Sequence, residues 1–219
     1  MAARTEIANF QGRAGRIECA IDWPQDPPAG WALILHPHPL HGGTRNNKVV
    51  TTMAQACIQR GLAAVRPDFR GVGRSEGEFD GGRGETEDIQ DLVAQFRERH
   101  PQAAAGKWVL GGFSFGTAVA AQLHAGFAQA GEPLPDAMIL VGTAVKRYQF
   151  RAVEIPADTL AVHGEQDEVV PLAEVLDWAR PIDLPVVVVP GAGHFFHGKL
   201  LVLRQLVRAR LSTLGGAPS

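Results

Sequence analysis

Lys107-Trp108-Val109-Leu110-Gly111-Gly112-Phe113-Ser114-Phe115-Gly116-Thr117-Ala118-Val119-Ala120 decides how this chain is read. An apolar run ends at a serine flanked by glycines, and an Ala-rich run with helical spacing follows it. Residues 112–116 fit G-x-S-x-G, a strand-turn-helix elbow that presents a nucleophile. The tight turn lifts Ser114 clear of the strand and excludes bulky side chains at positions 112 and 116. The following helix aims its N-terminal N–H groups at the serine oxygen. The N–H of Phe115 then becomes one natural donor to a developing oxyanion. A Gly-rich turn with an incidental serine carries the same local pattern. The catalytic reading therefore requires an acid and then a histidine downstream, each just after a later strand.

Working outward, the rest of the chain alternates. Residues 7–10 and 16–21 read as two short strands around Gly12-Arg13-Ala14-Gly15, a hairpin signal. Residues 31–35 form a continuous apolar strand of the buried type. A helix is expected from about residue 45 to 60, capped by Thr44 or Asn46 and closed by Gly61. Further strands are expected at 62–65, 108–111, 137–141, 159–163 and 186–189. Helices are expected at 86–99, 117–129, 172–179 and 200–211, with Pro101 ending the first of these. Alternation after an early hairpin predicts an α/β fold: one open, mostly parallel central sheet with helices on both faces. Functional loops of such sheets gather at the carboxyl ends of the strands. No internal repeat, long linker or low-complexity segment interrupts residues 1–219, which read as a single domain.

Composition narrows the function classes. A chain of 219 residues that is 45% hydrophobic suits one globular domain with a sizeable core. The formal net charge of −2 gives no electrostatic case for nucleic acid or an anionic membrane surface. Cys19 and Cys57 are far apart in sequence and in no metal-like spacing, which predicts reduced thiols in a cytoplasmic protein. Residues 1–11 lack the apolar core of a secretory signal, and no apolar run reaches membrane-spanning length. Residues 215–219 read as a frayed tail.

The required partners of Ser114 are present in order. Gly164-Glu165-Gln166-Asp167 follows one late strand, and Gly191-Ala192-Gly193-His194-Phe195-Phe196-His197 follows the next. Asp167 and His194 complete the order Ser, acid, His. Asp167 alone would read as part of a solvated acidic loop, since Glu165 and Glu168 surround it. His197 is the rival base, and His194 is preferred because two glycines let its loop fold inward. The second oxyanion donor is expected in His36-Pro37-His38-Pro39-Leu40-His41. Pro37 and Pro39 have no N–H, leaving His38, Leu40 and His41, with Leu40 and His38 favoured. Phe113 and Phe195 are candidates for an apolar acyl pocket. His36, His38 and His41 invite a metal reading, but no acidic or thiol partner accompanies them, so no metal is expected. Arg70-Gly71-Val72-Gly73-Arg74-Ser75 lacks the full phosphate-loop pattern and is read as structural, with Arg70 tying loops together.

Together, His36-Pro37-His38-Pro39 with Gly42-Gly43, residues 68–75, the elbow, Gly164-Glu165-Gln166-Asp167 and Gly193-His194 resemble the α/β-hydrolase superfamily. Within it the chain is similar to small bacterial hydrolases akin to dienelactone hydrolases. The resemblance spans roughly residues 31–197. It implies the α/β-hydrolase fold and cofactor-free hydrolysis of small-molecule esters or related acyl compounds. Dienelactone hydrolases proper use a cysteine nucleophile. Serine at position 114 favours instead a serine carboxylesterase acting on small or medium acyl groups. The alternatives are a thioesterase or peptidase on the same triad, or a non-catalytic ligand-binding protein on a hydrolase scaffold. Many members insert a cap before the acid loop. Here only residues 142–158 fill that interval, which predicts an open site without a large cap domain. Monomer and weak dimer both remain open.

Overall fold

The computed structural model describes residues 4–215. The tail expected over residues 215–219 lies outside the described residues except for Gly215. The early hairpin is β1 (Arg4–Gly12) and β2 (Gly15–Trp23), paired in continuous register from Arg4 opposite Trp23 to Gly12 opposite Gly15. Its strands are longer than the apolar pattern implies, because β1 is an edge strand. Its outer residues need only the hydrogen-bond ladder, not burial.

β3 (Gly30–Leu35) leads through a loop to α1 (Lys48–Ile58), and β4 (Leu62–Pro67) leads to α2 (Arg83–Arg99). The α1 cap is Asn47, whose side chain accepts the Val49 N–H at 2.9 Å, not Thr44 or Asn46. Thr44 Oγ1 is used one turn earlier by the Asn46 N–H. Gly61 closes the helix in the left-handed conformation (φ 75°). Pro101 ends α2 and also opens the short α3 (Pro101–Ala104), where its missing N–H is no loss.

β5 (Lys107–Phe113), α4 (Phe115–Ala130), β6 (Ala137–Val141), β7 (Leu160–Gly164), α5 (Leu172–Ala179), β8 (Val186–Val189) and α6 (Leu200–Ser212) complete the chain. One eight-stranded sheet results, ordered β1-β2-β4-β3-β5-β6-β7-β8. β2 joins β4 antiparallel, and every pair from β4–β3 to β7–β8 is parallel.

The strand period of two sorts the core into two layers. Trp31, Leu33 and Leu35 of β3, Trp108 and Leu110 of β5, and Met138 and Leu140 of β6 pack with α2 and α4. Ala32 and Ile34, Val109 and Phe113, and Ala137, Ile139 and Val141 face the opposite side, toward α1 and α6. The central strands are buried on both faces, which is why they read as unbroken apolar runs. This is the open, mostly parallel sheet with helices on both faces expected from the alternation.

Between β6 and β7 the chain makes only the 3₁₀ turn Val145–Tyr148, with no helical cap. That turn is strapped to α5 by the two hydrogen bonds from Arg147 to Glu174, at 2.7 and 2.8 Å. Among the described residues no helix is long and apolar enough to cross a membrane.

Candidate active site

The elbow at the end of β5 is sterically committed. Ser114 sits at φ 54°, ψ −120°, a region that an L residue occupies only when its surroundings force it. A Cβ on residue 112 would run into the carbonyl oxygen of Gly116, and one on residue 116 would run into that of Leu35. Both glycines are therefore demanded by backbone contact on either side of the turn. The strain is held from three directions. The Ser114 N–H donates to Val141 O at 2.9 Å. The hydroxyl of Thr117 donates to Ser114 O at 2.5 Å, and Thr117 Oγ1 accepts the Ala144 N–H at 2.9 Å. Thr117 thus stitches the elbow to the loop after β6, a role that its place in an Ala-rich helix does not announce.

His194 and Asp167 converge on Ser114. His194 Nε2 lies 2.9 Å from Ser114 Oγ, and His194 Nδ1 lies 2.7 Å from Asp167 Oδ2. A carboxylate only accepts, so Nδ1 carries the proton and Nε2 is left to accept from the Ser114 hydroxyl. Asp167 Oδ1 accepts the N–H groups of Val169 and Val170 at 2.9 and 2.8 Å. Burial pushes the Asp167 carboxyl up. The bonds from His194 and the Val170 N–H outweigh burial and hold it below the usual carboxylate range. All three residues are buried, Ser114 the least so.

The histidine loop folds inward by a different device from the one expected. Gly191 is left-handed (φ 64°), but Gly193 is not; the second left-handed residue is Phe196 (φ 53°), which is fully buried. Its ring anchors the loop in the core layer below, and the backbone conformation follows from that anchoring. Phe113 packs against the His194 ring with centroids 5.0 Å apart and has no exposed surface. It supports the ring from within the core, so the expectation that it lines an acyl pocket is not met. Phe195 is 40% exposed beside His194 and stacks on the exposed His197 at the rim.

Two of the expected oxyanion donors differ in availability. The Leu40 N–H already donates to His38 Nδ1 at 3.2 Å, and the Leu40 side chain points outward. The His41 N–H donates to His38 O. The N–H groups of His38 and Phe115 have no hydrogen-bond acceptor among the described residues.

Outside these residues, His36 is fully buried with both ring nitrogens engaged, Nε2 by the Phe69 N–H and Nδ1 by Pro37 O. Among the described residues no three His, Cys, Asp or Glu side chains gather as metal ligands would. Arg70 binds Asp88 of α2 at 2.7 Å, and Asp88 also accepts the Ala14 N–H of the hairpin turn, so this loop is a structural tie. A further set had no sequence signal. Arg45 spans Asp68 and Glu18, each at 2.6 Å, and locks the loop after β3 to β2 and to the loop after β4. Cys19 and Cys57 are both free and buried.

The model of the family described as "Serine aminopeptidase, S33" matches residues 38–153, just over half of the chain. An uncharacterized protein of Rickettsia prowazekii (strain Madrid E), RP471, is 31% identical over 213 residues, covering 94% of this chain and 88% of that protein. Among solved structures, XC6422 from Xanthomonas campestris, described as an α/β serine hydrolase without lid, superposes with a TM-score of 0.87 at 30% identity. That match covers 100% of this chain and 99% of the other. An α/β serine hydrolase homologue from Coxiella burnetii gives a TM-score of 0.83 at 38% identity, covering 97% and 99%.

Proposed function

The chain belongs to the α/β-hydrolase superfamily, in the family described as serine aminopeptidase, S33, and from that premise we propose that it is a serine hydrolase cleaving carboxylic esters of small or medium acyl groups. One observation carries this reading: the continuous relay from Ser114 Oγ through His194 to Asp167, at 2.9 and 2.7 Å, set on a strained elbow. In the proposed reaction His194 Nε2 takes the Ser114 proton as Oγ attacks the carbonyl carbon. Asp167 holds the ring and stabilises the imidazolium. The oxyanion accepts from the N–H groups of Phe115 and His38. His194 then gives its proton to the leaving alcohol, and water activated by the same ring releases the acid from Ser114.

The absence of a cap over residues 142–158 favours small or shape-tolerant substrates that reach Ser114 directly. Phe195, exposed beside His194, offers an apolar surface to meet them. The free, buried thiols fit a reducing compartment, the cytoplasm.

The test is turnover of p-nitrophenyl acetate and butyrate, with fluorophosphonate labelling at Ser114. A folded protein that neither labels nor turns over would sink the reading in favour of a ligand-binding role. The family description names an aminopeptidase, so a peptidase on the same residues is the second reading. Comparing kcat/KM for a matched ester, thioester and amide separates them.

A further inference from the structure

His163, at the end of β7, is buried with zero exposure and belongs to no part of the reaction described so far. Its neighbours along the strand, Leu160, Ala161 and Val162, are apolar. A leucine would fill such a position without desolvating two ring nitrogens. His163 Nδ1 has no hydrogen-bond partner, a defect that a packing role would not retain. The other nitrogen is fully engaged. Nε2 lies 2.8 Å from Val170 O and 3.3 Å from Asp167 Oδ2. Both of those atoms only accept, so Nε2 carries the ring proton and shares it between them.

The two acceptors belong to one small turn. Val169 and Val170 supply the N–H groups that hold Asp167 Oδ1, and Val170 O is held in turn by His163. Oδ1 is thereby fixed by backbone, and Oδ2 lies between His194 and His163. Burial favours the neutral ring, so His163 presents an N–H dipole and not a second full charge to the carboxylate.

We infer that His163 is a positioning residue for the Ser114 reaction: its Nε2–H clamps the 167–170 turn and the Oδ2 atom, so that the Asp167 carboxylate stays in the plane of the His194 ring. This rests on the proposed hydrolase reading. A carboxylate free to swing loses alignment that is worth up to about 100-fold in rate. His163→Leu removes the donor, His163→Gln carries an amide donor near the Nε2 position, and His163→Asn carries one too short to reach Val170 O.

The expected result, on p-nitrophenyl butyrate, is a fall in kcat of roughly 10- to 100-fold for Leu and Asn with KM within about twofold, and recovery of most of kcat in Gln. The low-field proton resonance of His194 Nδ1–H should broaden or shift in Leu and Asn and persist in Gln. Folded Leu and Asn variants with wild-type kcat overturn the inference. So does a Gln variant no better than Asn, or failure of all three to fold, which would make the ring a stability element. Wild-type protein that labels with fluorophosphonate while the variants behave alike leaves the hydrolase reading standing and removes only this one. Wild-type protein without turnover or labelling removes both.

Discussion

Nε2 of the buried His36 accepts the Phe69 N–H at 2.9 Å, which leaves the ring proton on Nδ1 against Pro37 O at 2.7 Å. The neutral ring thus joins the end of β3 to the loop after β4. Burial lowers its pKa to about 3, against the opposing effect of the Pro37 bond. Unfolded, a histidine titrates near about 6.5. Between these values the unfolded chain binds the extra proton, so His36 favours the folded state fully above about 6.5 and progressively less as pH falls toward 3. Its contribution to the slope is about 1.4 kcal/mol per pH unit. Urea unfolding of His36→Gln across about pH 4.5 to 6.5 should show a shallower slope by about one proton. An unchanged slope would contradict the assignment.

Ser114 holds a backbone conformation suited to glycine. Ser114→Ala should lose about ten-thousandfold or more in kcat yet stay folded, since only a hydroxyl is removed. Ser114→Gly should be equally inactive and more stable than the alanine variant by about 1–3 kcal/mol, read from denaturant midpoints. Equal midpoints would mean that the elbow is not strained.

His38 has φ −54°, within the range proline adopts. His38→Pro therefore deletes the N–H proposed as second oxyanion donor while leaving φ undisturbed. Its kcat should fall about 100- to 1000-fold below that of His38→Ala, which loses the ring and keeps the N–H. If the two variants match, the donor lies elsewhere.

Arg45 is the shared partner of Glu18 and Asp68, and all three side chains are largely buried. Arg45→Met leaves the buried Asp68 carboxylate without its ion-pair partner and Glu18 with only the exposed Arg74 at 4.0 Å. It should destabilise the protein by about 3–5 kcal/mol in equilibrium urea unfolding. Glu18→Gln in the Arg45→Met background should recover part of that loss.

What could be read beforehand follows from periodicity and punctuation. The continuous apolar runs around Leu33, Leu110 and Ile139 mark doubly covered strands, and Gly112 and Gly116 mark a turn that tolerates no Cβ. The order of Ser114, Asp167 and His194 pointed to the residues that the structure brings together. Contacts between distant residues left no such trace. Arg45 meets Glu18 and Asp68 across 27 and 23 positions, and nothing in their local sequence pairs them. Thr117 and His163 were hidden for another reason. Each sits in an apolar element whose pattern reports burial and is silent about which polar atom has been placed there. Phe113 was misread because nearness to Ser114 in sequence suggested a pocket, whereas the strand period sets it beside Val109 in the layer facing α1 and α6, under the His194 ring.

The bare strap from Gly142 to Asp158 has one more effect. An acyl group on Ser114, itself buried, would lie under no helical cap, so water would reach it without a lid having to open. Water, present at far higher concentration than any competing alcohol or amine, would have the same uncapped approach to the acyl group as they do. Such an architecture biases partitioning toward breakdown and away from transacylation. It also removes any need for a lipid–water boundary to switch the catalyst on.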